Sequence, residues 1–340
     1  MSKIAVYKYG FLGLLVIAII SALYLGAYDF SDSIPGILST YFQTQEHSSD
    51  SYVLIELRIP RILMAIFTGA GLAICGTSLQ GLFKNPLASP DLIGITSGAV
   101  LFAAVTIVLG SAFMHHLPPF FRYALLSIMA FIGSLLTMIF VYRMATTNGK
   151  TNILILLLSG VAITALTGAV TGFLTYLSTE EELRNLTFWS LGSLAGANWW
   201  KVCIVAIFVI IGSLILLKKG KTLNALMLGE KEAAHLGFDI EKNKRQIIVI
   251  VAFMVGSIVA FNGTIAFIGL VIPYILRFIF KSNYTILLPL SMILGAVVLL
   301  IADTISRIIV SPAELPIGIL TALMGAPVFI SILINYKRKM

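Results

Sequence analysis

The sequence predicts an all-α, polytopic membrane protein of ten transmembrane helices, and three observations carry the prediction. The chain is 59% hydrophobic and 11% charged with a mean hydropathy of +1.00, whereas an ordinary soluble domain carries roughly a quarter charged residues. Apolar stretches recur along all 340 residues, each close to the ~20 residues that cross a bilayer as a helix. Of the 23 lysines and arginines, 17 fall in alternate connecting segments, the bias that marks cytoplasmic loops. Residues 1–340 read as a single transmembrane domain.

The first apolar run, 11–28, is preceded only by Lys3 and Lys8. It is longer than a signal-peptide core and lacks a small-residue cleavage site, so it reads as a retained helix. The second, 60–80, opens on Pro60, which suits a first helical position. The third, 91–110, follows Ser89, Pro90 and Asp91, read as N-cap, first-position proline and first-turn acid. The fourth and fifth cover 119–142 and 151–175. The sixth, 199–217, is separated from the seventh, 246–263, by the longest basic segment, 218–245. Runs at 265–280, 285–306 and 315–335 complete the ten.

Both termini then face the cytoplasm, and the basic residues left outside are Arg58, Arg61, Arg122, Arg184, Lys201 and Arg307. Carboxylates lean outward, Asp303 and Glu314 among them. The net charge of +8 is explained by orientation in a lipid bilayer and implies no nucleic acid. Cys75 and Cys203 stand in apolar surroundings at no metal-ligand spacing.

The second and seventh spans echo one another. Gly69, Ala73, Gly76 and Thr77 align with Gly256, Ala260, Gly263 and Thr264 at a constant offset. The two spans run in opposite directions, as in a transporter's inverted repeat with helices crossing along small residues.

Arg58 and Arg61, at the outer start of the second span, oppose both the helix dipole and the positive-inside bias. They read as a docking surface for carboxylates on an external partner, joined by Arg307 at the outer end of the ninth span. On the opposite side, the turn Asn85-Pro86-Leu87 supplies Asn85 and Leu87 as a candidate inner gate. The segment Leu228-Gly229-Glu230-Lys231-Glu232-Ala233-Ala234-His235-Leu236-Gly237 reads as a short helix bracketed by glycines, suited to receive force from an ATPase.

Two fragments imitate a phosphate-binding loop, Gly149-Lys150-Thr151 and Gly220-Lys221-Thr222, but Met144 and Ile215 stand where the first glycine belongs. ATP is therefore expected on a separate subunit. His47, His115, His116 and His235 form no metal or hydrolase motif. The scarcity of ionisable residues inside the spans speaks against a proton-coupled carrier.

The stretch from Arg58 to Gly94 (RIPRILMAIFTGAGLAICGTSLQGLFKNPLASPDLIG), the segment LGEKEAAHLG and Phe267 to Arg277 (FIGLVIPYILR) together resemble the FecCD family of ABC importer permeases. Ala302-Asp303 with Arg307, Glu314-Leu315-Pro316-Ile317-Gly318 and Gly325-Ala326-Pro327 extend the likeness to the end of the chain. The resemblance implies a type II importer fold of two permease subunits around a central pathway, not an enzyme. It further implies a cytoplasmic ATPase dimer that binds ATP and Mg²⁺ and an extracytoplasmic substrate-binding protein, with no cofactor or metal on this chain. It gives Arg58, Arg61 and Arg307 the positions that meet acidic residues of the binding protein. Leu228, Gly229, Glu230, Ala233, Ala234, Leu236 and Gly237 take the coupling-helix position. Tyr274 departs from the family's usual His. The sequence looks nearest to the ferric citrate and siderophore members, with haem and cobalamin as alternative cargo and an ATP-independent membrane carrier as the reading from a different class.

Overall fold

The computed structural model describes residues 3–44, 48–110, 118–311 and 313–337. His47, His115, His116, Arg338 and Lys339 lie outside the described residues. The described chain is almost wholly helical: α1 (Lys3–Tyr24), α2 (Ile34–Thr44), α3 (Ser49–Leu82), α4 (Ile95–Val108), α5 (Pro119–Ala145), α6 (Ile153–Leu177) and α7 (Glu180–Ser190). It continues with α8 (Trp199–Lys218), α9 (Gly220–Leu228), α10 (Glu230–His235), α11 (Ile240–Asn262), α12 (Ile268–Phe280), α13 (Tyr284–Ile308) and α14 (Ile317–Lys337). A two-stranded hairpin, β1 (Thr146–Thr147) with β2 (Lys150–Thr151), joins α5 to α6.

Among the described residues, α1, α3, α5, α6, α8, α11 and α13 are long and apolar enough to cross a membrane. Three more apolar helices, α4, α12 and the Ile317–Ser331 part of α14, are shorter. Each of the ten expected spans falls on one of these helices. At 1.5 Å per residue α4 covers only about 21 Å, less than the ~30 Å hydrocarbon core. It is short because its expected start is wrong: Pro90–Ile93 form a separate 3₁₀ turn, and Gly94 at φ +80° breaks the helix before Ile95. Ser89 makes no side-chain cap, and Asp91 instead accepts the Thr96 hydroxyl proton at 2.6 Å. The entry to α12 has the same form, with Phe267 left-handed at φ +68°.

The second span also differs from expectation. It starts at Ser49, where the Ser48 hydroxyl accepts the Ser51 N–H, and Pro60 lies inside a continuous helix. In an α-helix a proline ring strikes the carbonyl four residues back. Here residues Val53–Arg58 are π-helical, and the Ile59 N–H bonds to the Leu54 carbonyl, which opens the turn around the ring.

α3 is the centre of the bundle, with 83% of its most apolar window buried against 22% for α6. It packs on α13, α12, α8 and α11. Lipid tails supply no hydrophobic drive between helices, so close van der Waals contact must hold them together. At Gly69 an added Cβ would overlap the Gly295 carbonyl of α13, and at Gly76 it would overlap the Gly269 carbonyl of α12. Ala73 meets Gly295 in the same seam. In α11, Gly256 lies against Ser134 and Phe131 of α5, and Ala260 is buried.

The inverted repeat is visible in these pairings. α3 packs on α13 as α11 packs on α5, α3 on α12 as α11 on α4, and α4 on α5 and α6 as α12 on α13 and α14. One expected small-residue contact is different. Gly263 caps α11 at φ +67°, beside the Trp189 carbonyl, so it serves a turn that L side chains rarely adopt and not a helix crossing.

Candidate functional site

The connecting segments fall at two ends of the bundle. At one end, α1, α3 and α13 bring Arg58, Arg61 and Arg307 together. All three were expected at a docking surface, and all three are engaged inside the protein. Arg58 is buried, and its guanidinium donates to the carbonyls of Leu23, Tyr24 and Tyr28. Leu23 and Tyr24 lie in the last turn of α1, whose carbonyls have no intrahelical partner, so Arg58 caps that helix. Its Cζ sits 4.2 Å from the centroid of the Phe30 ring.

Arg61 donates through Nε to Asp303 at 3.0 and 3.1 Å, through Nη2 to Asp303 at 2.9 Å and through Nη1 to Glu314 at 2.7 Å. Arg307 Nε lies 3.5 Å from Asp303 Oδ2, and its Nη2 donates to the Ala22 carbonyl at 3.2 Å. Asp303 is 0% exposed and stands between two guanidinium groups. Asp303 and Glu314 face Arg61 and Arg307, and Asp29 acts on Arg58. A cleft of about 350 Å³ opens over it, lined by the three arginines, Glu314, Tyr28 and Gly26. Sequence reasoning found the arginines but not their internal acids; the i, i+4 spacing of Asp303 and Arg307 on one helix was the available signal.

The other end carries α9 and α10. Gly229 at φ +146° separates the two helices, and a side chain there would strike Glu232. Gly237, at φ +86°, closes α10 by donating its N–H to the Ala234 carbonyl at 2.9 Å, and Phe238 reaches back to Ala233 at 3.2 Å, a helix end that needs a left-handed residue. Within this short helix Ala233 is fully buried and anchors it, Ala234 and Glu230 are exposed, and Leu228 and Leu236 project at 70% and 61% exposure. Both leucines are large apolar side chains left in the open beside a turn fixed by Gly229.

Nearby, the Asn85 side-chain oxygen accepts the Leu87 N–H at 2.9 Å, so Asn85 shapes its own turn. A cleft of about 460 Å³ lies beside it, walled by Gln80, Lys84, Pro86, Met227, Tyr274 and Arg277 among others. The turn contributes Lys84 and Pro86 to that wall, and neither Asn85 nor Leu87 reaches it. Tyr274 packs edge-on against Phe278, with centroids 4.9 Å apart. Gly149-Lys150-Thr151 lies in the β-hairpin and Gly220-Lys221-Thr222 opens α9. Among the described residues no three His, Cys, Asp or Glu side chains converge as a metal site.

A family model described as the FecCD transport family matches residues 14–335. The chain belongs to the FecCD transport family. This FecCD chain is 38% identical over 308 residues to the hemin transport system permease protein HmuU of Yersinia pestis, covering 89% of the chain and 91% of the relative. It is 38% identical over 277 residues to the cobalamin import system permease protein BtuC of Halobacterium salinarum, covering 82% and 72%. Among solved structures it matches one described as an inward-facing ABC transporter assigned to the metal-chelate type, with a TM-score of 0.83 and 34% identity over 96% of this chain and 98% of that one. The FecCD chain is thus an ABC transporter permease, a multi-pass membrane subunit with the type II importer fold and a transport component in place of an enzyme. Membership implies ATPase and permease partners.

Proposed function

We propose that this permease carries an iron chelate, a ferric siderophore or ferric citrate complex, inward across a bacterial cytoplasmic membrane. The observation that carries the chelate reading is the likeness, over 96% of the chain, to the metal-chelate type transporter. A second reading, haem, is favoured by the 38% identity to the hemin permease over 91% of that protein; cobalamin follows from the BtuC relative. An ATP-independent carrier would fit none of these relatives.

In this reading both termini and α10 are cytoplasmic, which the bias of 17 of 23 basic residues to those segments supports. The loaded binding protein seats over the arginine cleft, where Arg58, Arg61 and Arg307 supply positive potential for its acidic residues. The chelate enters a pathway between two permease subunits. ATP and Mg²⁺ bind at the ATPase dimer, whose closed form prefers ATP, and only that preference can drive a conformational equilibrium. Leu228, Gly229, Glu230, Ala233, Ala234, Leu236 and Gly237 form the piece the ATPase moves, and Asn85 and Leu87 shape the turn at the inner mouth.

A strain lacking the gene tests the cargo. Uptake of labelled ferric siderophores or ferric citrate should be lost while haem and cobalamin uptake persist. Loss of haem uptake alone would move the assignment to the second reading, and loss of none of the four would sink the import of these cargoes.

A further inference from the structure

Lys244 belongs, by sequence, with the solvated basic residues of the cytoplasmic loops. In the structure it is 2% exposed on its side chain, in the second turn of α11. Lysine is almost never fully buried unless paired, and this ammonium uses all three of its protons on three elements. Nζ donates to Glu230 Oε2 in the first turn of α10 at 2.8 Å, to Glu241 Oε1 in the first turn of α11 at 3.0 Å, and to the Thr151 carbonyl of β2 at 3.1 Å.

Thr151 is held from both sides. Its N–H donates to Glu241 Oε2 at 2.8 Å, so the peptides on both sides of one residue are gripped by the two members of the Lys244–Glu241 pair. Its hydroxyl meets Thr146 Oγ1 at 3.1 Å across the hairpin. The next residue, Asn152, caps α6 by accepting the N–H groups of Leu154 and Ile155 at 2.9 and 3.2 Å. The hydrogen-bonded path therefore runs from the start of α10, through one buried ammonium, to the N-terminus of α6.

We propose that Lys244 is a positioning residue of the transport cycle, locking α10 to the β-hairpin so that displacement of α10 moves α6 with it. Two features favour α6 as the driven element. Within the chain it is the long helix most weakly buried after α1, at 22% of its apolar window. Its covalent connection to α10 runs through α7, α8 and α9, whereas the Lys244 clamp joins the two ends directly. A charge with three fixed acceptors also transmits force without the slack of an apolar contact, since breaking an arm leaves one proton of a buried ammonium without its acceptor.

The proposal rests on α10 being the segment that the ATPase moves, and the experiment separates the two. In the assembled transporter in nanodiscs, with Cys75 and Cys203 replaced, spin labels at Thr147→Cys and His235→Cys report the distance between hairpin and α10. Lys244→Met should broaden that distance distribution and lower cargo transported per ATP hydrolysed by roughly three- to thirtyfold, with the ATPase still co-purifying. Glu230→Gln, which removes one arm at an acceptor that is 47% exposed, should do the same to a smaller degree if Lys244→Met fails to fold. Lys242→Ala, on the exposed face of the same helix, should change neither reading. An unbroadened distribution, or a broadened one with unchanged transport per ATP, overturns the clamp. If Leu236→Asp leaves transport coupled while Lys244→Met still broadens the distribution, the fault lies with the assignment of α10 to the ATPase.

Discussion

Arg61 Nη2 lies 2.9 Å from Asp303 Oδ1, with the Asp303 side chain fully buried. The pair joins the Arg58 end of α3 to the last turns of α13, so an arginine expected to face a partner is also a structural tie. Arg307 shares the same carboxylate at 3.5 Å. Removing Asp303 therefore leaves Arg307 without a carboxylate partner and Arg61 with Glu314 alone.

Asp303→Asn should destabilise the permease by about 3–5 kcal/mol, the usual consequence of breaking a buried pair on one side. Thermal unfolding in detergent measures it. Asp303→Asn with Arg61→Met should recover part of the loss, because the second change removes a cation that has lost its buried partner; no recovery would mean that the ion pair is not what holds α3 to α13.

Docking is tested better at Glu314 than at the arginines, whose reversal would damage the fold. Glu314 has a side chain 40% exposed and holds Arg61 Nη1 at 2.7 Å. Glu314→Gln should make the cleft more positive and raise the association rate of an acidic binding protein, with a gain that shrinks as salt rises toward a Debye length of about 8 Å. Surface plasmon resonance on permease in nanodiscs reads both, and an on-rate that ignores Glu314 at low salt would count against docking over this cleft.

The glycine seam predicts a large and position-specific penalty. Gly76→Ala should cost on the order of 1–3 kcal/mol through forced separation of α3 from α12, since its Cβ would overlap the Gly269 carbonyl. Gly168→Ala in α6, where an added Cβ meets nothing within 4 Å, should be neutral to slightly stabilising, a helical glycine being about 1 kcal/mol poorer than alanine. Equal melting temperatures for the two variants would dismiss the seam.

At the opposite end, Leu236→Asp should leave the permease in the membrane and folded, because the side chain is already exposed. It should abolish the link between ATP turnover and uptake. Ala233→Leu should instead damage local packing, since Ala233 is fully buried. Parallel ATPase and uptake assays on reconstituted transporter distinguish the outcomes.

The architecture was largely legible because membrane helices announce themselves by apolar length, and the small residues of α3 pointed to close crossings. The starts of elements were less so. Pro60 reads as a helix start because nothing local reveals a π-helical stretch that accommodates it, and Ser89-Pro90-Asp91 reads as a cap although Gly94 interrupts the helix. Gly263 matched Gly76 in sequence but sits in a turn. The site was legible as a list of charges and not as a wiring diagram. Arg58 finds its partners in the last turn of α1, Arg61 in residues more than two hundred positions away, and Lys244 in a hairpin two spans earlier. Such pairings depend on which loops meet, and only the fold decides that.

The contact of Gly69 with Gly295 has a mechanical meaning. Where two helices meet backbone to backbone, no side chain remains to change rotamer and no gap remains to slide through, so α3 and α13 must travel as one rigid spine. Any working stroke then belongs to the helices hung around that spine by looser fittings. The permease is built as an axle with movable blades, and its stiffness lies where its residues are smallest.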